Sequence, residues 1–392
     1  MSEVPRLLFV LNSLGAGGAE KQVLTLLAHL ERGRFALHLA YLKREEALLG
    51  QLPRAALSSV ECCGVAGYLE YRGVRCLRER IKAERIDALV CTNLYSTLYG
   101  SLARAGLGAR APQLISVFHS TRLLTLKERV RMLAYRPMLA RCDRLIYVCQ
   151  AQRAYWRARG VRARTDSVVY NGIDAEHFAD RHTPAQAQAL RRALGFDAGD
   201  YVIGICSGLR PEKAHPDLLH ALARLRSQGV PAKALLIGEG PERERIEREA
   251  GRLGLAAHLR ITGFEPDVRP FIAASDVMCL VSHSETFSLA ALEAMAMGKP
   301  LVMSDVGGAR EQVTEGEQGL LFAPGDIDAL TTRLLALRGR AVRARMGAAG
   351  ARRVRREFTV QAMTSRFARE VLEVLESAGR GSGRRVPVSS AY

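Results

Sequence analysis

Two carboxylates eight positions apart mark the stretch of this sequence best suited to bind a ligand. Glu285 belongs to a polar turn that follows the apolar run 277–281, and Glu293 lies in SLAALEAMAM, residues 288–297. This segment is rich in helix formers and is closed by a glycine and a proline, so we predict a helix in which Glu293 is the only charge. From spacing alone, Glu293 could equally lie on the solvent stripe of an amphipathic helix or meet a polar ligand.

The start of this predicted helix offers backbone donors to an anion. The N–H groups of Phe287, Ser288 and Leu289 fall in the first turn, where helical acceptors are absent and the helix dipole is positive. An anion held there would lie between Glu285 and Glu293, whose carboxylates accept hydrogen bonds from hydroxyl groups. A sugar nucleotide has this layout, because its diphosphate joins a hydroxylated sugar to a hydroxylated ribose.

The run Glu-Thr-Phe-Ser-Leu-(x)3-Glu-Ala-Met-Ala-x-Gly-x-Pro, which begins at Glu285, resembles the E-x7-E signature of retaining glycosyltransferases of family 4 (group 1). The resemblance covers nearly the whole chain and is strongest over residues 206–321. It implies an α/β chain with the GT-B fold, in which two Rossmann-like, doubly wound domains face each other across a cleft. It also implies an enzyme that moves a hexosyl or N-acetylhexosaminyl group from a nucleotide diphosphate sugar, UDP-linked in our interpretation, to an acceptor hydroxyl with retention of configuration.

The order of apolar runs predicts the same architecture independently. Short apolar runs alternate with helical stretches through both halves of the chain, which is typical of parallel sheets covered on both faces. With the family resemblance, this order implies an N-terminal acceptor-side domain over 1–178 and a C-terminal nucleotide-sugar domain over 179–378, with return of its last helix to the first domain left open. The tail over 379–392 is predicted to be disordered.

A second charged loop, Ser207 to His215, follows the strand-like run that opens the second half. Charged loops are usually solvated surface, but Arg210 and Lys213 lie three positions apart, and together they suit a diphosphate. The loop resembles the family's G-x-L-x-x-x-K-G pattern, which implies that both residues bind the diphosphate. It departs from that pattern at Ala214, where glycine or asparagine is common, so the backbone conformation of the loop is left open.

Further site residues follow from the resemblance. It implies that Gly17 and Gly18 line the cleft opposite the donor phosphates, although an ordinary tight turn explains them almost as well. It implies that His119 faces the donor sugar, that Glu285 holds sugar hydroxyls, and that Glu293 holds the ribose. It also places the turn at Phe264 beside the nucleotide base. Two cations and a helix terminus make a metal unnecessary, no D-x-D-like pair is present near the motif, and no cofactor is expected.

Three alternatives remain open. A GT-B sugar-nucleotide epimerase would need an internal acid–base set that has no counterpart in the sequence. An NAD-dependent oxidoreductase is disfavoured because residues 15–18 lack both the G-x-G-x-x-G fingerprint and its downstream acidic partner. A non-catalytic nucleotide-sugar-binding protein would not need all four of the charged residues Arg210, Lys213, Glu285 and Glu293.

Composition limits the cellular setting. The sequence contains no apolar run of the roughly 20 residues that span a bilayer and no recognisable signal peptide, so we expect a cytoplasmic protein. Eight scattered cysteines suggest reduced, buried thiols without a disulfide framework or zinc site. The family resemblance, rather than the composition, implies a saccharide or lipid-linked saccharide as the acceptor, as in bacterial polysaccharide or lipopolysaccharide synthesis.

The net charge of +17 is concentrated outside residues 181–330, which carry 16 basic and 20 acidic side chains. Arginine is especially dense between Arg122 and Arg164, where Tyr155 and Trp156 add an aromatic pair. A solvated basic surface is the ordinary explanation, and no recognition motif supports nucleic acid as a partner. We favour contact with an anionic membrane at the inner face of the plasma membrane, with the aromatic pair inserting at the interface.

Overall fold

The structure is a computed structural model that describes residues 4–15, 17–31, 33–119 and 126–382. The chain divides into two compact units. The first comprises Met1–Gly172 together with Val360–Tyr392, and the second comprises Ile173–Thr359. Each unit is an α/β layer structure of the kind that the alternating apolar runs predict.

Within the described residues, the first unit contains a seven-stranded parallel sheet of strand order β3-β2-β1-β4-β5-β6-β7. Its strands are β1 Arg6–Leu11, β2 Ala36–Tyr41, β3 Leu57–Cys62, β4 Ala88–Thr92, β5 Gln113–Phe118, β6 Arg144–Tyr147 and β7 Thr165–Val168. Its helices are α1 Gly18–His29, α2 Tyr71–Ala83, α3 Asn93–Arg104, α4 Leu126–Leu139, α5 Gln150–Ala158 and, at the end of the chain, α14 Val360–Ser382.

The interior strand β1 shows why this sheet is covered on both faces. Phe9 belongs to a core that includes Phe367 of α14, whereas Val10 belongs to a core that includes Tyr99 of α3. Successive side chains of a strand point to opposite faces, so a continuous apolar run such as RLLFVL can bury both of its faces only between two helical layers.

The second unit has a six-stranded parallel sheet in the described part of the chain, with strand order β10-β9-β8-β11-β12-β13. Its strands are β8 Tyr201–Cys206, β9 Ala232–Ile237, β10 Leu259–Ile261, β11 Val277–Leu280, β12 Leu301–Ser304 and β13 Gly319–Phe322. Its helices are α6 Pro184–Ala193, α7 His215–Ser227, α8 Arg243–Arg252, α9 Arg269–Ala274, α10 Leu289–Ala296, α11 Ala309–Gln312, α12 Ile327–Ala336 and α13 Arg340–Glu357.

The boundaries between the units differ from those predicted. The chain leaves the first unit at Gly172, six residues before the predicted break at 178, and returns to it at Val360. The returning helix α14 is tied to β6 by ion pairs from Arg144 to Glu370 and, at 2.9 Å, to Glu373. It continues to Ser382, four residues into the predicted disordered tail, and residues 383–392 of that tail lie outside the described residues.

No helix in the described ranges combines the length and the apolar character needed to cross a membrane.

Candidate donor-binding site

The second unit brings three of the predicted site residues to one edge of its sheet. Strands β8 and β11 are neighbours and run parallel, so the loops that follow them leave the sheet at the same edge. The loop after β8 carries Arg210 and Lys213, and the loop after β11 carries Glu285. Residues that are 72 positions apart in sequence are therefore brought into contact.

Lys213 and Glu285 form the centre of this site. The Nζ of Lys213 donates a hydrogen bond to Oε1 of Glu285, and the Oγ of Ser282 donates to the same oxygen at 3.3 Å. The two charged side chains are 22% and 18% exposed, so both remain accessible to a ligand. Both hydrogen bonds use Oε1 of Glu285, so its Oε2 is oriented by them and has no hydrogen-bond partner among the described residues.

Arg210 differs from Lys213 in its surroundings. Its side chain is exposed, and no carboxylate among the described residues lies within ion-pair distance of it. By contrast, Arg191 and Arg343 of the same unit are both bound by Asp276, at 2.9 and 3.2 Å. A planar guanidinium that the protein leaves without a partner suits a bidentate contact with a phosphate.

The loop conformation left open by Ala214 is now defined. Ala214 has φ 50° and ψ 39°, in the left-handed region that residues with a Cβ adopt only at a cost. It lies between the turn that carries Lys213 and the first turn of α7. This backbone requirement explains why glycine or asparagine is common at this position in the family's pattern.

His215, the next residue, is buried behind the cationic loop. Its Nε2 lies 3.0 Å from the Oγ of Ser207, and burial lowers its pKa to about 4, with a smaller contribution from the charge of Lys213. The imidazole is therefore neutral at neutral pH. It adds no charge to the site and fixes the start of the loop against α7.

The start of α10 differs from the prediction at one of its three backbone donors. The N–H of Ser288 donates to Oε1 of Gln312 at 3.1 Å, and Nε2 of Gln312 donates to the carbonyl of Ser288 at 2.8 Å. This N–H therefore already has a partner within the protein, and the role of Ser288 in binding the donor stays a prediction. Leu289 is the first residue of α10, where the helix supplies no acceptor for its N–H. Phe287 is buried, and its ring packs against Phe358.

Gln312 is the residue at this site that sequence reasoning missed. It lies directly after the segment DVGGARE, residues 305–311, and its side chain is 1% exposed. A helix of four residues is too short to show periodicity in the sequence. The role of Gln312 also depends on which loop lies opposite it. Its position one turn beyond two glycines was the single available hint.

The rest of this segment also holds the Glu285 loop in place. The N–H of Gly308 donates to the carbonyl of Thr286 at 2.8 Å. Gly307 has φ +56°, and a Cβ at this position would lie 2.2 Å from the carbonyl oxygen of Glu285. The double glycine is therefore required by close backbone approach, and it orients the chain on which Glu285 lies.

Glu293 and Phe264 occupy positions that agree with their predicted roles but do not test them. Glu293 is half-buried on α10, between the fully buried Leu292 and Ala294. Phe264 is 57% exposed and follows β10 at the same sheet edge. Both can meet a ligand, and their contacts with ribose and base remain predictions.

The remaining predicted residues belong to the first unit. Gly17 is the N-cap of α1 and Gly18 is its first residue. His119 follows β5, and its backbone N–H donates to Oδ1 of Asn93 at 2.8 Å. Among the described residues, the buried Nε2 of His119 has no hydrogen-bond partner, and burial lowers the pKa of this histidine to about 4. The structure thus presents a neutral imidazole with one unsatisfied nitrogen.

The aromatic pair in the arginine-rich stretch does not form an interfacial anchor. Trp156 is 2% exposed and packs edge-on against Phe118, with ring centroids 5.8 Å apart. Tyr155 is covered by the guanidinium of Arg159, 3.6 Å from its ring centroid. The expectation that Trp156 inserts into a membrane is therefore wrong, because the fold uses this side chain in its core.

Much of the charge in this stretch is compensated within the first unit. Asp166 binds both Arg153 and Arg157, and Asp143 binds Arg164 at 2.9 Å. The early part of the stretch, residues 120–125 and the side chains of 126–129 and 131, lies outside the described residues. The described part therefore presents less free positive charge than the sequence implies.

These two units, each with parallel strands and its loops at one edge, define the GT-B class of fold. The structure matches that of Anabaena Alr3699/HepE in complex with UDP with a TM-score of 0.81 and 24% identity, covering 94% of this chain and all of that one. The match establishes the architecture predicted from the alternating runs.

The two sequence halves match the models "Glycosyltransferase Family 4" over residues 16–177 and "Glycosyl transferases group 1" over residues 186–353. The chain therefore belongs to the group 1, family 4 glycosyltransferases, as the motif at Glu285 indicated.

Relatives include the D-inositol 3-phosphate glycosyltransferase of Rhodococcus erythropolis, 33% identical over 49% of this chain and 45% of the relative. The N-acetyl-alpha-D-glucosaminyl L-malate synthase of Bacillus anthracis is 28% identical over 54% and 55%. The chain thus spans about half the length of the curated relatives it matches.

Proposed function

We propose that this protein transfers a sugar from a nucleoside diphosphate sugar to an acceptor hydroxyl with retention of configuration. The observation that carries the proposal is the contact between Lys213 and Glu285 beside an unpaired Arg210, at the carboxyl edge of the second unit's sheet. This arrangement supplies positive charge for a diphosphate and, directly next to it, an oriented carboxylate for sugar hydroxyls.

In this proposal the diphosphate binds between the two cations. Arg210 offers a planar fork to two phosphate oxygens. Lys213 carries three N–H donors, so its ammonium can keep its bond to Glu285 while it donates to a phosphate. The Lys213–Glu285 pair then holds both side chains in the geometry that the donor needs before it arrives, which lowers the ordering cost of binding.

The neighbouring groups are assigned to the sugar and the nucleoside. Oε2 of Glu285 accepts hydrogen bonds from hydroxyls of the donor sugar, and Glu293 accepts them from the ribose. The neutral imidazole of His119 is assigned to the donor sugar, where its unsatisfied Nε2 can exchange a hydrogen bond with a hydroxyl. Phe264 is assigned to the base.

Electrostatic stabilisation of the leaving group provides most of the catalysis in this scheme. As the bond between sugar and phosphate breaks, negative charge grows on the diphosphate. Arg210, Lys213 and the positive end of α10 are already oriented toward that charge, so little reorganisation is needed. Among the described residues, no cluster of His, Cys, Asp or Glu side chains forms a metal site.

The relatives narrow the choice of donor. Solved structures of Anabaena Alr3699/HepE hold UDP or UDP-glucose, and one relative is named for an N-acetylglucosaminyl product. We therefore propose a UDP-linked hexose or N-acetylhexosamine as the donor. The acceptor, a saccharide or lipid-linked saccharide as in polysaccharide or lipopolysaccharide synthesis, remains a proposal from family resemblance.

Peripheral contact with an anionic membrane also stays a prediction, now without support from Trp156. Cosedimentation with anionic and neutral vesicles at low and high salt tests it, since electrostatic binding requires the anionic lipid and weakens with salt. Equal partitioning to both vesicle types would refute it.

A transfer assay with a panel of nucleoside diphosphate sugars and hydroxyl acceptors tests the main proposal, and NMR of the product reads the anomeric configuration. We expect Arg210→Ala and Lys213→Ala each to lower kcat/KM at least roughly thirtyfold, because each removes a charge-assisted contact. This corresponds to a loss of about 2 kcal/mol in transition-state stabilisation. Arg248→Ala is the control, since Arg248 is a 73% exposed arginine on α8. Near-normal kcat/KM in both site variants would remove these residues from the mechanism.

A further inference from the structure

His283 lies in the loop between β11 and α10, two positions before Glu285, and the proposed function gives it no role. Its backbone N–H donates a hydrogen bond to the carbonyl of Glu212 at 2.9 Å. Glu212 belongs to the turn 211–213, which also carries Lys213. The loop that carries Glu285 is therefore bonded, backbone to backbone, to the loop that carries Lys213.

The side chain of His283 makes a second contact with the same part of the unit. Its Nε2 lies 2.9 Å from Oδ2 of Asp217, in the first turn of α7. An ionised carboxylate can only accept hydrogen bonds, so Nε2 carries a proton and is the donor of this bond. The side chain of Asp217 is 18% exposed and that of His283 is 50% exposed, so the bond lies at the surface with its carboxylate largely shielded from water.

The loop from Ser282 to Glu285 is also attached to the sheet. The Oγ of Ser304, the last residue of β12, donates to the carbonyl of Ser282 at 2.6 Å. The loop is thus held at Ser282 by the sheet and at His283 by the neighbouring loop and helix. Only Ser284 separates His283 from Glu285, so these contacts restrict the position of the Glu285 backbone.

The two partners of His283 lie on either side of Lys213 in sequence. Glu212 directly precedes Lys213, and Asp217 follows it by four residues. Lys213 and Glu285 are therefore held near each other by two contacts besides their own hydrogen bond. A ligand that binds to both side chains finds them already spaced, which lowers the ordering cost of binding.

We propose that His283, through its bond to Asp217, is a positioning residue that sets the spacing of the two charged groups at the centre of the site. This inference rests on the proposed function, in which Lys213 binds the diphosphate and Glu285 binds hydroxyls of the donor sugar. A nucleoside diphosphate contacts only the first of these groups, whereas a nucleotide sugar contacts both at once. The pair therefore favours the nucleotide sugar over the nucleoside diphosphate, because a change in spacing affects the nucleotide sugar more.

Calorimetric titration of the full-length protein with UDP and with UDP-glucose tests the proposal. His283→Phe keeps a ring of similar size but cannot donate the hydrogen bond. Because a partly exposed pair contributes modestly, we expect this variant to weaken binding of UDP-glucose about fivefold and of UDP about twofold. His283→Gln should restore most of the affinity for UDP-glucose, since its amide can donate at a similar reach. Equal weakening of the two compounds by His283→Phe would overturn the assignment.

His220 provides the matched control. Its Nε2 lies 3.1 Å from Oε1 of Glu249, so it forms the same kind of pair between α7 and α8. His220→Phe should leave the affinities for UDP and UDP-glucose unchanged. Asp217→Ala should weaken UDP-glucose by a factor similar to that of His283→Phe, and the double variant should be no weaker than either single variant. Additive losses in the double variant, or an equal effect of His220→Phe, would contradict the proposal.

Hydrogen–deuterium exchange of the ligand-free protein separates the positioning role from the proposed function. The peptide that spans residue 283 should exchange about fivefold faster in His283→Phe but not in His220→Phe, because only the first variant frees the loop. Unchanged exchange in His283→Phe would refute the positioning role. If the wild-type protein binds neither UDP compound, the proposed donor and the preference for a nucleotide sugar are both refuted, whereas faster exchange in His283→Phe still supports positioning.

Discussion

Replacing Gln312 should loosen the segment that carries Glu285, although Gln312 lies outside the signature motif. Gln312→Ala removes one hydrogen bond to the Ser288 N–H and one to its carbonyl, at 3.1 and 2.8 Å. A typical hydrogen bond contributes about 1 kcal/mol, and a buried donor left without a partner costs about 1–3 kcal/mol. The Ser288 carbonyl also accepts from the Leu292 N–H at 3.5 Å, so the larger loss falls on the N–H. We therefore expect Gln312→Ala to lower the free energy of opening of this segment by about 3 kcal/mol.

Gln312→Met is the matched variant, because it fills a similar volume without either hydrogen bond. It avoids most of the cavity that alanine leaves, so we expect a loss of about 2 kcal/mol that reports the hydrogen bonds alone. Hydrogen–deuterium exchange of the peptide that spans Ser288 measures the effect locally. A loss of 2 kcal/mol in the opening free energy corresponds to roughly thirtyfold faster exchange. UDP affinity should fall in parallel, because Glu285 and Lys213 lose their fixed geometry.

Gln312→Glu separates the two hydrogen bonds. A carboxylate can still accept from the Ser288 N–H but faces the Ser288 carbonyl with negative charge, whereas the protonated acid can donate to that carbonyl as the amide does. The folded state therefore raises the pKa of the introduced carboxyl. The destabilisation relative to wild type should be full above this raised pKa, should shrink as pH falls through it, and should be smallest below about 4.3, the usual glutamate pKa. Unchanged exchange in the alanine and methionine variants, with unchanged UDP affinity, would refute the positioning role of Gln312.

Two further predictions concern the same unit. Glu293→Gln should weaken binding of the nucleoside diphosphate more than it slows the chemical step, because a ribose contact exists before and during reaction. Calorimetric titration measures this effect, and unchanged affinity with unchanged stability would return Glu293 to the solvent stripe of α10. Ala214→Gly should leave stability unchanged or raise it by up to about 1 kcal/mol, because relief of the left-handed strain offsets the added chain entropy. In contrast, Ala344→Gly, at an exposed helical position of α13, should lower the free energy of unfolding by about 1 kcal/mol. Equal losses in denaturant melts of these two variants would show that φ at Ala214 is not strained.

The fold and the charged residues of the site could be predicted from the sequence because their signals are local. Most of the buried parallel strands contain a short apolar run, such as LLFVL in β1, and such runs alternate with helical segments throughout the chain. The carboxyl ends of parallel strands meet at one edge, so loops that follow strands bring Arg210, Lys213 and Glu285 together whatever their separation along the chain. The length of the motif that begins at Glu285 was enough to identify the family.

Other features depended on contacts between distant segments, which no local pattern specifies. The side chain of Gln312 takes the Ser288 N–H only because two loops happen to lie opposite each other in space. Trp156 was expected at a surface because it lies among arginines, but packing against Phe118 places it in the core. The last helix joins the first unit because its apolar face, including Phe367, completes the core around Phe9. Sequence therefore determined which elements form and which charges lie at their ends, whereas tertiary packing decided which polar groups remain available to a ligand.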